Sequence, residues 1–181
     1  MSERFQIIYA DPPWVYRDKC HSGERGAGYK YKLMTLADLG AMRPFIDRIA
    51  ANDCLLAMWW VPPQPAEALA LVEAWGFKFK TMKGFSWRKL TKNGKEHFGM
   101  GNLTRANSED CLFATRGKPK RISASVRSII SAPAREHSRK PDEARNRLVQ
   151  LMGDVPRIEL FARQKHEGWS VWGNEVESDV K

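Results

Sequence analysis

The chain is poor in the residues that staple small folds together. Its three cysteines, Cys20, Cys54 and Cys111, are odd in number and far apart, with no Cys-x-x-Cys and no paired histidine spacing. That argues against a disulfide framework or a structural zinc site. No apolar run approaches the roughly 20 residues of a membrane helix. Residues 1–10 (MSERFQIIYA) lack the basic, apolar and small-residue zones of a signal peptide. A cytoplasmic location and no membrane partner are therefore expected. Internal repeats and low-complexity tracts are missing too. At 181 residues the chain suits one well-buried domain and is short for two.

Charge is the first positive signal. Lysine and arginine total 30 against 21 aspartate and glutamate, a formal net charge of +9. Residues 78–147 carry 18 basic and 6 acidic side chains, whereas the rest carries 12 and 15. A basic lobe on a near-neutral body points to a polyanionic partner.

Short apolar, β-rich runs alternate with helical patterns, which predicts an α/β sheet. Phe5–Ala10 (FQIIYA) stops at Asp11-Pro12-Pro13, and Cys54–Val61 (CLLAMWWV) stops at Pro62-Pro63. Proline cannot continue a central strand, so each run should end in a loop at a sheet edge. Thr35 is a candidate N-cap for LADLGAM, and Pro44 can open another helical turn through Ala50. Ala66–Trp75 reads as a helix with Leu69, Val72 and Trp75 on one face and Gly76 at its C-terminal cap. Phe77–Phe79, Phe85–Trp87 and Asp110–Thr115 are strand candidates, while the polar, basic residues 88–107 read as a loop. A helix over 141–152 follows, opened by Pro141 with Ala144, Leu148 and Leu151 aligned, and then strands at Arg157–Phe161 and Trp169–Trp172.

Asp11-Pro12-Pro13-Trp14 directly follows the first buried run. Two prolines after an acid fix a rigid, extended loop. The Asp11 carboxylate and the Pro12 carbonyl then form a fixed pair of acceptors, with no local donor expected to satisfy them. Such a pair suits an exocyclic amine with two hydrogens to donate, such as adenine N6. The lone pair of that amine is delocalised into the ring, so an enzyme that methylates it must orient the amine and accept developing positive charge. No metal is needed for this. Trp14 would offer a flat face for the base. The plain alternative is a proline-terminated strand with Asp11 in a turn and Trp14 in the core.

At these residues the chain resembles the DPPW-signature adenine-N6 methyltransferases, the family related to the catalytic subunit of the eukaryotic mRNA adenosine methyltransferase. Further stretches agree in order: Tyr31-Lys32-Leu33-Met34, Ala74-Trp75-Gly76-Phe77, Ser86-Trp87-Arg88-Lys89, Glu109–Ala114, His137–Glu143, Ile158–Arg163, and Trp169 through Gly173-Asn174-Glu175. The resemblance implies a Rossmann-like, S-adenosylmethionine-dependent methyltransferase fold as a single domain. Its motif order would be permuted, with the catalytic loop first and the cofactor strand last. It implies S-adenosylmethionine as cofactor and Asp11, Pro12, Pro13 and Trp14 as the catalytic motif. For the cofactor it points to Asp11, Lys140, Glu159, Phe161 and Arg163, with Asn174 or Glu175 at the ribose hydroxyls. The stretch between Arg163 and Trp169 is shorter than in long family members, which leaves Lys165 or His166 for the cofactor-facing place.

Two loops near residues 15–34 and 88–107 interleave basic and aromatic residues, as phosphate contact with base stacking requires. Trp14, Tyr16, Tyr31, Arg88, Lys89 and Arg105 are the candidate substrate contacts. A base inside a duplex hides its N6, so flipping or a single-stranded substrate is expected. DNA is the expected substrate because the chain lacks the RNA-binding extensions of eukaryotic members, and RNA is the alternative. A non-catalytic nucleic-acid-binding partner subunit is the rival from another class, although such partners lose the acid or prolines kept here. Monomer and homodimer both remain open.

Overall fold

The computed structural model describes residues 4–15, 33–99, 101, 103–135 and 139–180. Strand β1 (Phe5–Ala10) is buried along nearly its whole length, because an apolar run of this kind can be covered on both faces. It lies between two parallel neighbours, β2 (Ala50–Trp60) and β6 (Arg157–Leu160), with Tyr9 opposite Ala57 on one side and Glu159 on the other. Beyond β2 come antiparallel β4 (Ser108–Arg116), then β3 (Lys78–Leu90) and β5 (Ile129–Pro133); beyond β6 comes β7 (Ser170–Trp172). The order of the seven-stranded sheet is β5-β3-β4-β2-β1-β6-β7. Only β4 runs against the rest among these strands, so its first residues share an edge with the last residues of β1, β2, β3 and β6.

Alternation along β1 splits the core into two layers. Ile8 and Ala10 pack with Leu39, Ile46, Leu71 and Trp75, while Ile7 and Tyr9 pack with Trp59, Leu148 and Trp169. Helices α1 (Leu36–Gly40), α2 (Arg43–Ile49) and α3 (Pro65–Ala74) supply the first layer, and α4 (Asp142–Met152) supplies the second. The expected Thr35 cap is present as a reciprocal box: Thr35 Oγ1 accepts the Asp38 N–H at 3.1 Å, and the Asp38 carboxylate accepts the Thr35 N–H at 3.2 Å. Helix α3 is capped at Trp75, followed by Gly76 at φ +75°.

Several expectations shift. In α3 the buried face is Ala68, Leu71 and Val72, continued by Trp75, while Leu69 is 41% exposed. That set has the i, i+3, i+4, i+7 spacing, anchored by a small alanine that a search for large residues passes over. In α4 the buried set includes Arg145 and Met152 in place of Leu151. The two short runs around residues 77–87 belong to one long strand, β3, whose lysine-bearing first half is largely exposed. The loop read as 88–107 therefore begins only after Leu90: Arg88 and Lys89 are strand residues paired to Ser131 and Ala132 of β5, an edge strand that the sequence reading lacks.

The chain leaves β1 towards β2 on one side, and β6 feeds β7 on the other. The carboxyl ends of β1 and β6 thus form a topological switch point, where open α/β sheets make their crevices.

Candidate active site

Asp11 is the first residue beyond β1, at this switch point. The Pro12 carbonyl finds a local donor, contrary to expectation, and Asp11 finds one from far along the chain. The Trp14 N–H donates to the Pro12 carbonyl at 2.9 Å, a tight turn around Pro13, and the Lys140 ammonium donates to Asp11 Oδ2 at 2.7 Å. A carbonyl and a carboxylate each keep further lone pairs, so both can still accept from an amine. The Pro13 carbonyl accepts the Met34 N–H at 2.9 Å, fastening the far end of the loop.

Trp14 lies in the core at 5% exposure, with its indole N–H donating to the Trp59 carbonyl at 3.2 Å. The plain reading of this side chain fits its placement better than an open stacking face: it anchors the loop. Trp59 in turn donates its indole N–H to the Tyr9 hydroxyl at 2.7 Å, so the loop rests on a buried aromatic floor.

Lys140 lies just before α4, and its side chain is only 10% exposed. Besides Asp11, its Nζ lies 3.2 Å from Glu109 Oε2 and 5.5 Å from the centre of the Trp59 ring. Glu109 also pairs with Lys89. Asp11, Lys140, Glu109 and Lys89 thus alternate in sign along the crevice. Burial alone would ease a proton off Lys140, yet Asp11 and Glu109 hold its pKa well above the usual lysine value. Burial would likewise raise Glu109, but Lys140 and Lys89 hold its carboxyl below the usual range. Sequence reasoning assigned Glu109 no role. Its position follows from the reversed direction of β4, which brings the start of that strand to the Asp11 edge.

A second ionic group lies beneath. Arg145 of α4, 7% exposed, forks the Glu159 carboxylate at 2.7 and 3.0 Å and donates to Asp142 at 2.8 Å. Its guanidinium also stands 5.6 Å from the centre of the Tyr9 ring. Burial pushes the Glu159 carboxyl up, and the fork only partly offsets this. Both Glu159 oxygens accept from Arg145, so Glu159, expected at the cofactor, ties β6 to α4 in this structure and keeps further lone pairs on its oxygens. Arg145 was missed because an arginine on a helix normally reads as surface.

The remaining cofactor candidates lie beyond β6 and β7. Phe161 takes φ +61°, a left-handed conformation that costs a non-glycine residue on the order of 1–3 kcal/mol and tends to mark functional sites. Its ring packs against Trp172, with centroids 5.6 Å apart. Arg163 and Glu175 lie 3.7 Å apart as an ion pair, and Asn174 is exposed beside them. His166 sits 3.2 Å from Gln164 Nε2; burial, helped by Arg145, lowers its pKa. Lys165 is engaged with Asp179 at 2.9 Å. Asp179, also unforeseen, exchanges hydrogen bonds with the Val171 backbone at 2.9 Å each and so latches the 173–178 turn to β7. A Cβ on Gly173 would lie 2.2 Å from the Ala162 carbonyl oxygen, so only glycine lets these backbones meet.

Among the substrate candidates, Lys89 joins the crevice. Arg88 pairs with Glu96, and Arg105 stands 5.0 Å from the centre of the Phe98 ring in the 91–107 connection. Tyr16 and Tyr31, with most of the first basic loop, lie outside the described residues. Buried Cys54 has its thiol pushed up to about 12 by burial, which makes it a packing residue. Among the described residues no group of His, Cys, Asp and Glu side chains is placed to hold a metal, and no helix is long and apolar enough to cross a membrane.

A mostly parallel sheet with its ionic groups gathered at the switch point is the architecture of nucleotide- and cofactor-binding α/β proteins. Comparison with known proteins narrows that class. The MT-A70 family model matches residues 5–175. Type II methyltransferase M.MunI of Mycoplasma sp. is 32% identical over 96% of this chain and 78% of its own length. The N6-methyladenosine RNA methyltransferase MTA1 of Cryphonectria parasitica is 31% identical over 95% of this chain and 52% of its own. The human N(6)-adenine-specific methyltransferase METTL4 is 27% identical over 95% and 37%. The chain therefore belongs to the MT-A70 family of adenine-N6 methyltransferases. It spans about a third to a half of these two eukaryotic relatives. Membership implies the S-adenosylmethionine-dependent methyltransferase fold and S-adenosylmethionine as methyl donor.

The residues present fit that donor. Lys140 offers a buried cation for a carboxylate, and Asn174 and Glu175 offer polar groups beside the close Gly173 backbone.

Proposed function

We propose that this chain is a single-domain enzyme that transfers the methyl group of S-adenosylmethionine to adenine N6 in DNA. The observation that carries the reading is the rigid Asp11-Pro12-Pro13 loop at the β1 edge, with Lys140 bonded to Asp11 and the strained Phe161 ending the neighbouring strand. In this reading the motif order is permuted: the acceptor loop comes first, and α4 with β6, on the cofactor side, comes last.

The donor supplies an electrophilic methyl group on a sulfonium. Asp11 and the Pro12 carbonyl accept the two N6 hydrogens and aim the nitrogen for in-line attack. Their negative character stabilises the positive charge that develops on N6. Lys140 receives the methionine carboxylate, and Asn174 with Glu175 holds the ribose. Lys89, Arg88 and Arg105 follow the phosphate backbone, and Tyr16 and Tyr31 are the candidates to grip an extruded base.

RNA is a second reading, supported by the comparable identity to the fungal RNA methyltransferase. One incubation separates the two. Labelled S-adenosylmethionine is supplied with duplex DNA, single-stranded DNA and RNA, and the nucleosides are then identified by mass spectrometry. Label in N6-methyldeoxyadenosine is the expected result. Label only in N6-methyladenosine moves the substrate to RNA, and no label in any of the three defeats the enzymatic reading of the isolated chain.

A further inference from the structure

Two ligands of the reaction each need the same ion pair opened, one at its lysine end and the other at its aspartate end. The Lys140 ammonium donates to Asp11 Oδ2 at 2.7 Å, so a carboxylate arriving at Lys140 competes directly with Asp11. Conversely, an amine arriving at Asp11 meets an oxygen already engaged by a cation.

Resting on the proposed function above, we propose that Lys140 is a shared counter-ion which the carboxylate of the methyl donor draws away from Asp11. The Asp11 oxygen then becomes fully available to the adenine amine only when the donor is seated. Three observations carry this. First, Asp11 sits on a loop stiffened by two prolines and fastened through Trp14 and Met34, so it is not the partner that moves. Lysine is a point charge on a flexible stem, suited to exchanging partners.

Second, Lys140 keeps a carboxylate partner as it shifts: Glu109 lies 3.2 Å from its Nζ, and Glu109 is in turn paired to Lys89. The Asp11 side chain, 31% exposed, is left to solvent and the arriving amine. Third, an Asp11 oxygen engaged by an ammonium is a weaker acceptor for positive charge developing on N6. Releasing it therefore raises its value at the step where it is needed. The coupling is reciprocal: whatever binding to Asp11 gains from the donor's carboxylate, the donor gains from an occupied Asp11.

The test uses two ligands on the full chain: S-adenosylhomocysteine and its decarboxylated analogue, which keeps the sulfur and the amine but lacks the carboxylate. Calorimetry gives the ratio of their affinities, and comparing the two cancels whatever Asp11 does to the amine. In wild type this ratio is reduced because Lys140 must leave a carboxylate to meet one. In Asp11→Asn, a near-isosteric change, the preference for the carboxylate-bearing ligand rises about five-fold or more. Glu109→Gln shifts it the same way by less, and carries the test if Asp11→Asn fails to fold. An unchanged or reduced preference overturns the inference while leaving the methyltransferase reading intact. A wild-type protein that binds neither ligand overturns both.

Discussion

The two ionic groups at the switch point are built from different cations. Along the crevice, Asp11 and Glu109 meet lysines through single contacts. Beneath it, Glu159 meets Arg145 through a fork at 2.7 and 3.0 Å. A guanidinium fork fixes direction as well as charge and loses little by being held still, whereas an ammonium is easily redirected. The difference separates holding from handling. The arginine fixes the start of α4 against β6, and the lysine above it stays exchangeable at the mouth where ligands arrive.

The comparison breaks most sharply at Arg145. Arg145→Met leaves Glu159 buried without its partner, and the loss of stability is expected to be about 3–5 kcal/mol by denaturant unfolding. Adding Glu159→Gln should recover part of it, since the uncompensated charge is gone. If the single variant unfolds like wild type, the fork does not hold the two elements together.

Asp11→Ala acts on rate. Losing one preorganised polar contact at a developing charge raises the barrier by roughly 3–4 kcal/mol, read as single-turnover rate, while the melting temperature stays near wild type. Wild-type turnover by this variant would sink the proposed chemistry.

The pH dependence sharpens the comparison further. Glu109 is held below its ordinary value of 4.5, so its contribution to stability is present above that pH and lost as pH falls through the folded value. Lys140 is held above its ordinary 10.5, so its contribution is present below that pH and lost only as pH rises through the higher folded value. The crevice cluster should therefore contribute a flat plateau between these limits and an acid-side slope below 4.5. Urea titrations across pH check this, and Glu109→Gln should flatten the acid slope.

The smallest effect is at the rim. Arg88 and Glu96 are both more than half exposed, so Arg88→Ala should change stability by about 0–1 kcal/mol. If Arg88 contacts phosphate, the same variant lowers the slope of log affinity against log salt by about 1. An unchanged salt slope removes Arg88 from the nucleic-acid path.

Legibility followed local physics. The buried β1 run, the proline stops after β1 and β2, the Thr35 cap and the Gly76 terminus are all marked within a few residues. The Asp11 loop was recognisable for the same reason: prolines set its backbone whatever surrounds it. Strand β5 and the stretch of β3 over residues 80–84 that joins its two apolar runs were not legible, because their partners lie far away in sequence and lysines on an exposed face conceal the strand pattern. The choice between an open face and a core position for Trp14 was not legible, because burial is decided by what packs above a residue and neighbouring residues do not report that.

By itself the sequence determined the class of protein: an ordered series of motifs around a stiff acidic loop, a basic lobe and an α/β alternation. Tertiary structure decided which charges meet. Asp11, Glu109 and Lys140 come from three separate stretches and converge because β4 runs against its neighbours and α4 docks beside β1. Burial does the rest: it makes an arginine in a helix a core fastener, and it leaves a lysine with two carboxylates to choose between.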